Sequence, residues 1–366
     1  MSELDDLRSS VRDFLTAKSG EEQVRAVMES DRGVDDAVWT QMADQLGLQS
    51  LALPEEYGGD GFGFVELRVV LEEMGRALLP SPFLSSVVLA GSALIASGDQ
   101  DAQAAHLPGI ASGKTTATLA VAEADGRWHT GALRTTATRS AGAWTLRGEK
   151  SFVLDGATAD TVLVVAATDA GPGLFAVAGD AVTRTPLRVL DPTRRLARLT
   201  FSDAAATPVG EPGAAGPLVD RVLDLATTAL AAEQVGGARA CLEASAAYAR
   251  DRMQFGRPIG SFQAVKHKCA DMLTRVQLAD AASIEAANAA AGVEGSPEHG
   301  VAAAVAHSVC SEAFMFVAAE NIQVHGGIGF TWEHPAHLYF RRAKSSQLLF
   351  GGPREYHERL LSRLGV

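Results

Sequence analysis

The 366-residue sequence predicts an α+β multidomain protein in three parts: an N-terminal helical domain over residues 1–117, a middle β-barrel or sandwich domain over 118–212, and a C-terminal helical bundle over 213–366. Two observations carry this. The apolar periodicity changes twice, from helical to strand-like near Thr118 and back to helical after the stretch GEPGAAGP. A chain this long that is 47% hydrophobic also holds more apolar material than one ordinary core needs.

In the first part, Leu4, Leu7, Val11 and Phe14 recur at helical spacing, as do Val65, Val69, Leu71 and Met74. The stretch LALPEEYGGDGFG between them reads as a loop. In the second, TLAVA, AWTLRG, SFVL, TVLVVAA, GLFAVA and ARLTF are short apolar runs separated by Gly, Asp and Pro, the pattern of a small β-domain. In the third, Phe262, Val265, Cys269, Met272 and Val276 form one helical stripe, and the alanine-rich stretch around 279–291 is helix-forming composition.

The formal charge of −12 is spread among interspersed acids and bases, so neither a nucleic-acid stripe nor a polybasic membrane patch is expected. The opening MSELDDLRSSVRDFL has no apolar signal core, and no later run reads as long enough to span a bilayer; the expected compartment is the cytoplasm. Cys241, Cys269 and Cys310 are widely spaced and read as packed thiols. His325, His334, His337 and His357 match no metal-ligand spacing, so no metal is expected.

Two stretches carry chemistry. In RDRMQFGRPIGSFQ, residues 250–263, Arg252, Gln254, Phe255 and Gln263 gather around a Gly/Pro turn; a guanidinium fork suits a pyrophosphate and a flat ring suits a purine. In NIQVHGGIGFTWEHP, residues 321–335, Gly326, Gly327 and Gly329 follow a helix, with Gln323 one turn earlier, so that backbone amides can meet a ligand. Taken singly, the first fits a structural turn at least as well, and the glycine cluster reads more often as a tight turn than as a site.

Together and in this order they are specific. With LGLQSLALPEEYGGDGFG, EEMGRAL, GEKSFVLDG, RDRMQFGRPIGSFQAVKH, QVHGGIGF and FRRAKSSQLLFGG, the chain resembles the acyl-CoA dehydrogenase flavoenzymes over nearly its whole length. The resemblance implies a C-terminal four-helix bundle in a tetramer. It also implies FAD, and a glutamate that takes the α-proton of an acyl-CoA thioester while the β-hydrogen leaves as hydride.

The same resemblance exposes departures. Counting from Arg341 and Lys344, the position of the family's base falls on Phe350, whose ring accepts no proton. The family's other base location falls on Ala226 and Thr227. Glu233, Asp224, Glu355 and His357 lie in neither register, although Glu233, within ALAAEQVGG, is a weak candidate for a relocated base. Ala122, Phe152 and Leu154 stand where the family holds the isoalloxazine edge, and Gly352 and Arg354 stand where it places Thr and Gln. By contrast Arg252, Gln254, Phe255, Gln263, Gln323, Gly326 and Gly327 match the set that reaches across a dimer interface to a neighbouring subunit's FAD.

This pattern resembles the base-lacking subunit of actinobacterial α2β2 acyl-CoA dehydrogenases. The expectation is an acyl-CoA dehydrogenase active as a heteromer on an acyl-CoA, with a steroid side-chain CoA among the candidate substrates. Its FAD is shared with a homologous subunit that carries the catalytic glutamate, and its electrons pass to an electron-transfer flavoprotein or similar acceptor. The alternatives are a self-sufficient homotetramer with a relocated base, or a flavin oxygenase or CoA-binding protein on the same fold. Arg341 and Arg342 are expected in interhelical ion pairs.

Overall fold

Helix α1 (Glu3–Lys18) starts from a capping box in which the Ser2 hydroxyl accepts from Asp5 N–H and the Asp5 carboxylate accepts from Ser2 N–H. Helices α2 (Glu21–Glu29), α3 (Asp36–Leu46) and α4 (Phe64–Arg76) follow, and a π-helical stretch, Leu84–Gly91, leads into α5 (Ser92–Ser97) and α6 (Gln100–Ala111). The computed structural model describes residues 2–292 and 296–366. These residues form two compact units that do not follow chain order: one takes the segments up to Arg25, Phe64–Leu79 and Thr227–Val366, the other Ala26–Gly63 and Pro80–Ala226.

The second unit holds the sheet: β1 (Ala117–Ala120), β2 (Thr136–Ser140), β3 (Ala143–Leu154), β4 (Thr161–Thr168), β5 (Gly171–Ala178), β6 (Thr183–Pro186) and β7 (Leu196–Val209). The order β4-β2-β3-β7-β5 closes because β5 also pairs with β4, and so the sheet is a barrel, with β1 added to β4 and β6 to β7. Leu146, Val153, Val162, Val164, Phe175 and Phe201 fill its interior. The runs AWTLRG and SFVL are one strand, β3, interrupted by a bulge between Lys150 and Val153. Beside the barrel the π-helical stretch is fully buried. Its Ser86 hydroxyl donates to the Ala117 carbonyl and accepts from Ala117 N–H, and its Ser85 donates to Asp155 at 2.6 Å.

The first unit is helical. From Thr227 on, helix α7 (Ala215–Asp251) belongs to it and ends in a two-stranded hairpin, β8 (Met253–Gln254) and β9 (Arg257–Pro258), after which come α8 (Gln263–Ala290), α9 (Pro297–His325), α10 (Ala336–Leu348) and α11 (Pro353–Arg363). Helices α8 and α9 form an antiparallel hairpin. Lys268 pairs with Glu320, Arg275 lies 4.2 Å over the Phe316 ring, and the Cys310 thiol donates to the Ala279 carbonyl. Helix α9 corrects one expectation: it is long and apolar enough to cross a membrane by length and composition. Most of that stretch is buried, and α8, α10 and α11 all pack on it.

Two glycines set how closely α4 approaches α7. A Cβ on Gly75 would fall within 3.0 Å of the Glu233 backbone, and one on Gly236 would fall equally close to the Glu72 carbonyl. Around this crossing the buried Glu72 pairs with Arg8, Arg68 and Arg239, and the buried Glu73 pairs with Arg8 and Arg12. Of the helical stripe in α8, Met272 and Val276 are fully buried, whereas Phe262, Val265 and Cys269 remain half-exposed.

Candidate functional site

The antiparallel register of α8 and α9 decides which sequence motifs meet. Because Lys268 pairs with Glu320 and Cys310 reaches Ala279, Gln263 at the start of α8 lies level with the His325–Gly326 end of α9. Tyr248 of α7 lies 4.4 Å from the His325 ring, which brings Arg252, one turn further along, to the same end. The fold therefore gathers Arg252, Gln254, Phe255, Gln263, Gln323, Gly326 and Gly327 at one end of the helical unit.

Each of these side chains is exposed, and so are both glycines. Phe255 and Gly256 are the two central residues of the β8–β9 turn, with φ of 53° and 76°. Such a turn suits Asn-Gly, and a phenylalanine there is strained, which is the kind of outlier that accompanies function. The turn presents a ring that is 90% exposed, and its only aromatic neighbour among the described residues is Phe262, edge-on at 6.1 Å. Gly326 has φ 63° and ψ −139°, a conformation open to glycine alone. Nothing lies within 4 Å of where a Cβ on Gly326 or Gly327 would stand. A guanidinium, three side-chain amides, a free ring face and a turn with uncovered backbone fit the adenine and pyrophosphate end of FAD.

The positions that the resemblance puts in register with the family's base are closed. Phe350 is 0% exposed and sits at φ 65°, strained for a bulky side chain. The carbonyl of the next residue, Gly351, accepts from His307 Nε2 at 3.0 Å. The His307 ring lies 4.0 Å from that of Tyr356, whose hydroxyl is 2.6 Å from the Thr227 hydroxyl. Thr228 in turn lies 3.0 Å from His299. The two base registers, Phe350 and Ala226–Thr227, far apart in the chain, are thus linked through buried hydrogen bonds and the His307–Tyr356 ring contact. Burial pushes His307 down to about 4, so it is neutral. Ala226 is 0% exposed, and Glu233, 9% exposed, lies 4.0 Å from the buried Arg342 guanidinium across to α10. Arg342 therefore forms the expected interhelical ion pair, but Arg341 stacks over Trp332 at 4.5 Å instead.

In the barrel unit, the bulge in β3 turns Phe152 outward at φ 57°, with its ring beside Gly126. Leu154 is in the core at 2% exposure, with its carbonyl accepting from Thr118. Below them lies a buried pair the sequence reading missed. Lys150 Nζ, 0% exposed, donates to Glu123 at 3.0 Å and to the Val121 carbonyl at 2.9 Å, and Glu123 also accepts from Arg134 and Thr135 N–H. Burial alone would raise the Glu123 carboxyl, but these donors and Lys150 hold it below its ordinary value. Burial also pushes the Lys150 ammonium down. Lys150→Met, which strands the carboxylate, should cost about 3 kcal/mol in urea unfolding. The Glu123 contribution is complete above its ordinary value of 4.5 and fades as pH falls towards its lower folded value. Glu123→Gln should remove that part of the acid dependence.

The family follows from comparison with known proteins. The family models "Acyl-CoA dehydrogenase, N-terminal domain" and "Acyl-CoA dehydrogenase, C-terminal domain" match residues 1–114 and 217–364. Acyl-CoA dehydrogenase IpdE2 of Mycobacterium tuberculosis is 38% identical over 358 residues, covering 98% of this chain and 96% of the relative. The chain belongs to the acyl-CoA dehydrogenase family. Acyl-CoA dehydrogenases are FAD-dependent oxidoreductases acting on CH–CH bonds. Among solved structures, the ChsE4-ChsE5 complex from Mycobacterium tuberculosis matches with TM-score 0.90 and 31% identity, over 100% of this chain and 98% of that one. A Tcur3481-Tcur3483 steroid ACAD variant matches with TM-score 0.88 and 32% identity, over 99% and 98%. The similarity therefore extends to subunits of heteromeric members of the family, as the sequence reading expected. It spans all three stretches of secondary structure, helical, β and helical, although the two family models leave 115–216 between them.

Proposed function

We propose that this acyl-CoA dehydrogenase is the subunit of a heteromer that lacks the base and completes the FAD site of a homologous partner, which supplies the glutamate. One contrast carries the reading: both base registers lie in a closed, buried network, while the cofactor-facing motifs sit exposed on open backbone. Arg252 would meet the pyrophosphate, Gln254, Gln263 and Gln323 the polar edges of the nucleotide, and Phe255 the adenine face. The bound flavin supplies a hydride acceptor. The residues of this chain bind and orient it, and the α-proton goes to the partner's carboxylate.

The relatives named for a steroid ACAD and a two-protein complex support a bulky steroid side-chain CoA as the acyl-CoA class. An electron-transfer flavoprotein-type acceptor and a cytoplasmic location complete the reading. The test is the absorption spectrum and native mass of the chain, first alone and then co-expressed with the acyl-CoA dehydrogenase encoded beside it. The expected result is a colourless, inactive chain alone and a yellow, active assembly of the pair with about one FAD per heterodimer. A chain that is yellow and oxidises acyl-CoA by itself overturns the proposal and makes Glu233→Gln the next experiment.

A further inference from the structure

Beneath the Gly326–Gly327 turn lies a group of rings that holding a cofactor does not require. His325, the last residue of α9, is 6% exposed, and its Nδ1–H donates to the Asn321 carbonyl at 2.8 Å. Its ring centroid lies 4.4 Å from Tyr248 and 4.3 Å from His334. His334 stands at the far end of the same turn, where its Nδ1 accepts from Ala336 N–H, at the start of α10, at 3.2 Å. The two imidazoles thus pin both ends of the segment between them; the bond that His334 Nδ1 accepts needs that nitrogen unprotonated, while His325 only donates.

We propose that His325 and His334 are positioning residues for the Gly326–Gly327 turn: a stacked pair that holds the turn to α7 and lets it go when His334 gains a proton. A proton on His334 Nδ1 removes the acceptor for Ala336 N–H. It also places a cation at the positive end of α10 and sets that charge against the His325 ring. Among the described residues, the charged or titratable groups near the pair include Glu21 and Arg25 of α2, which pair with each other at 2.7 Å, the adjacent Glu333, and Tyr248 of α7, with His337 and Arg341 further along α10. Burial, then His325, lowers His334 below the ordinary 6.5, with Arg25 adding to this and Glu21 opposing it. The closed turn is therefore fully stable above about 6.5 and loses stability as pH falls from there towards the lower closed-state value.

The turn's effect on assembly rests on the reading that it meets a neighbouring subunit's cofactor; the latch itself does not. The experiment is hydrogen–deuterium exchange of residues 326–335 in the purified chain, corrected for the pH dependence of intrinsic exchange, with FAD retention of the co-expressed assembly followed over the same range. In the wild type, opening should rise about tenfold between about pH 7.5 and about pH 5.5, the effect of one group that titrates freely only in the open turn. His334→Asn keeps an oxygen to accept from Ala336 but cannot titrate, so its profile should be protected and flat. His334→Ala should be open at both ends of the range. A flat wild-type profile, or a His334→Asn profile that tracks the wild type, overturns the latch. Titrating exchange with FAD retention unchanged supports the latch and counts against the cofactor-face reading.

Discussion

Gly236→Ala is expected to destabilise the helical unit by about 3 kcal/mol or more, read as a fall in denaturation midpoint and in folded yield. Helix propensity alone points the other way, since alanine in a helix interior is better than glycine by about 1 kcal/mol. The crossing decides the sign. The new Cβ would fall within 3.0 Å of the Glu72 carbonyl and of Arg76 N, and Gly75 leaves no more room on its side, against Glu233. Both obstacles are backbone, so no rotamer change relieves them, and α4 must move away from α7. Glu72 moves with α4, and at 1% exposure it depends on Arg8, Arg68 and Arg239 for its charge balance. Gly327→Ala is the control: nothing lies within 4 Å of its Cβ position, and the chain's midpoint should not move. An unchanged midpoint for Gly236→Ala would show that the helices part at no cost.

What the sequence made legible follows from how each signal is encoded. The changes between helix and strand were readable because burial writes a period of 3.6 or 2 into neighbouring residues. Strands β2, TATRS, and β6, TRTP, were missed because they expose most of their side chains and carry no apolar run. The merging of AWTLRG and SFVL into one strand was hidden by a bulge that breaks the alternation at Ser151 and Phe152. The length of α9 was underestimated because its polar residues, His299, His307, Ser311 and Asn321 among them, interrupt the apolar run, although they are buried and bonded to other segments. The bond between Thr227 and Tyr356 spans 129 positions and the one between His307 and Gly351 spans 44, and no local pattern records a register between helices that far apart. The pair His325 and His334 was visible as composition, but their stacking depends on the path of the turn between them.

Phe350→Glu should not turn this chain into a dehydrogenase on its own, and it should cost about 3 kcal/mol of stability. The substitution places a carboxyl where the resemblance puts the family's base, so it isolates the question of whether the base alone is missing. Phe350 is fully buried at the left-handed φ of 65°, a strain that only the surrounding packing sustains. Removing the ring forfeits that packing. The new carboxyl would be buried beside a turn whose carbonyl is taken by His307, which is held neutral, and the cation near that ring, Arg359, is already stacked over Tyr356. Burial would therefore push the carboxyl up and favour its protonated form, the wrong state for taking an α-proton. The barrel face would be no better equipped, since Leu154 remains an aliphatic core residue and offers no hydroxyl. The measurements are the denaturation midpoint and acyl-CoA oxidation by the variant alone. In the co-expressed pair, activity per folded assembly should stay at the wild-type level, because the working base belongs to the partner. Gain of activity by Phe350→Glu alone would show that the flavin site of this chain is complete and that the glutamate was its one missing part.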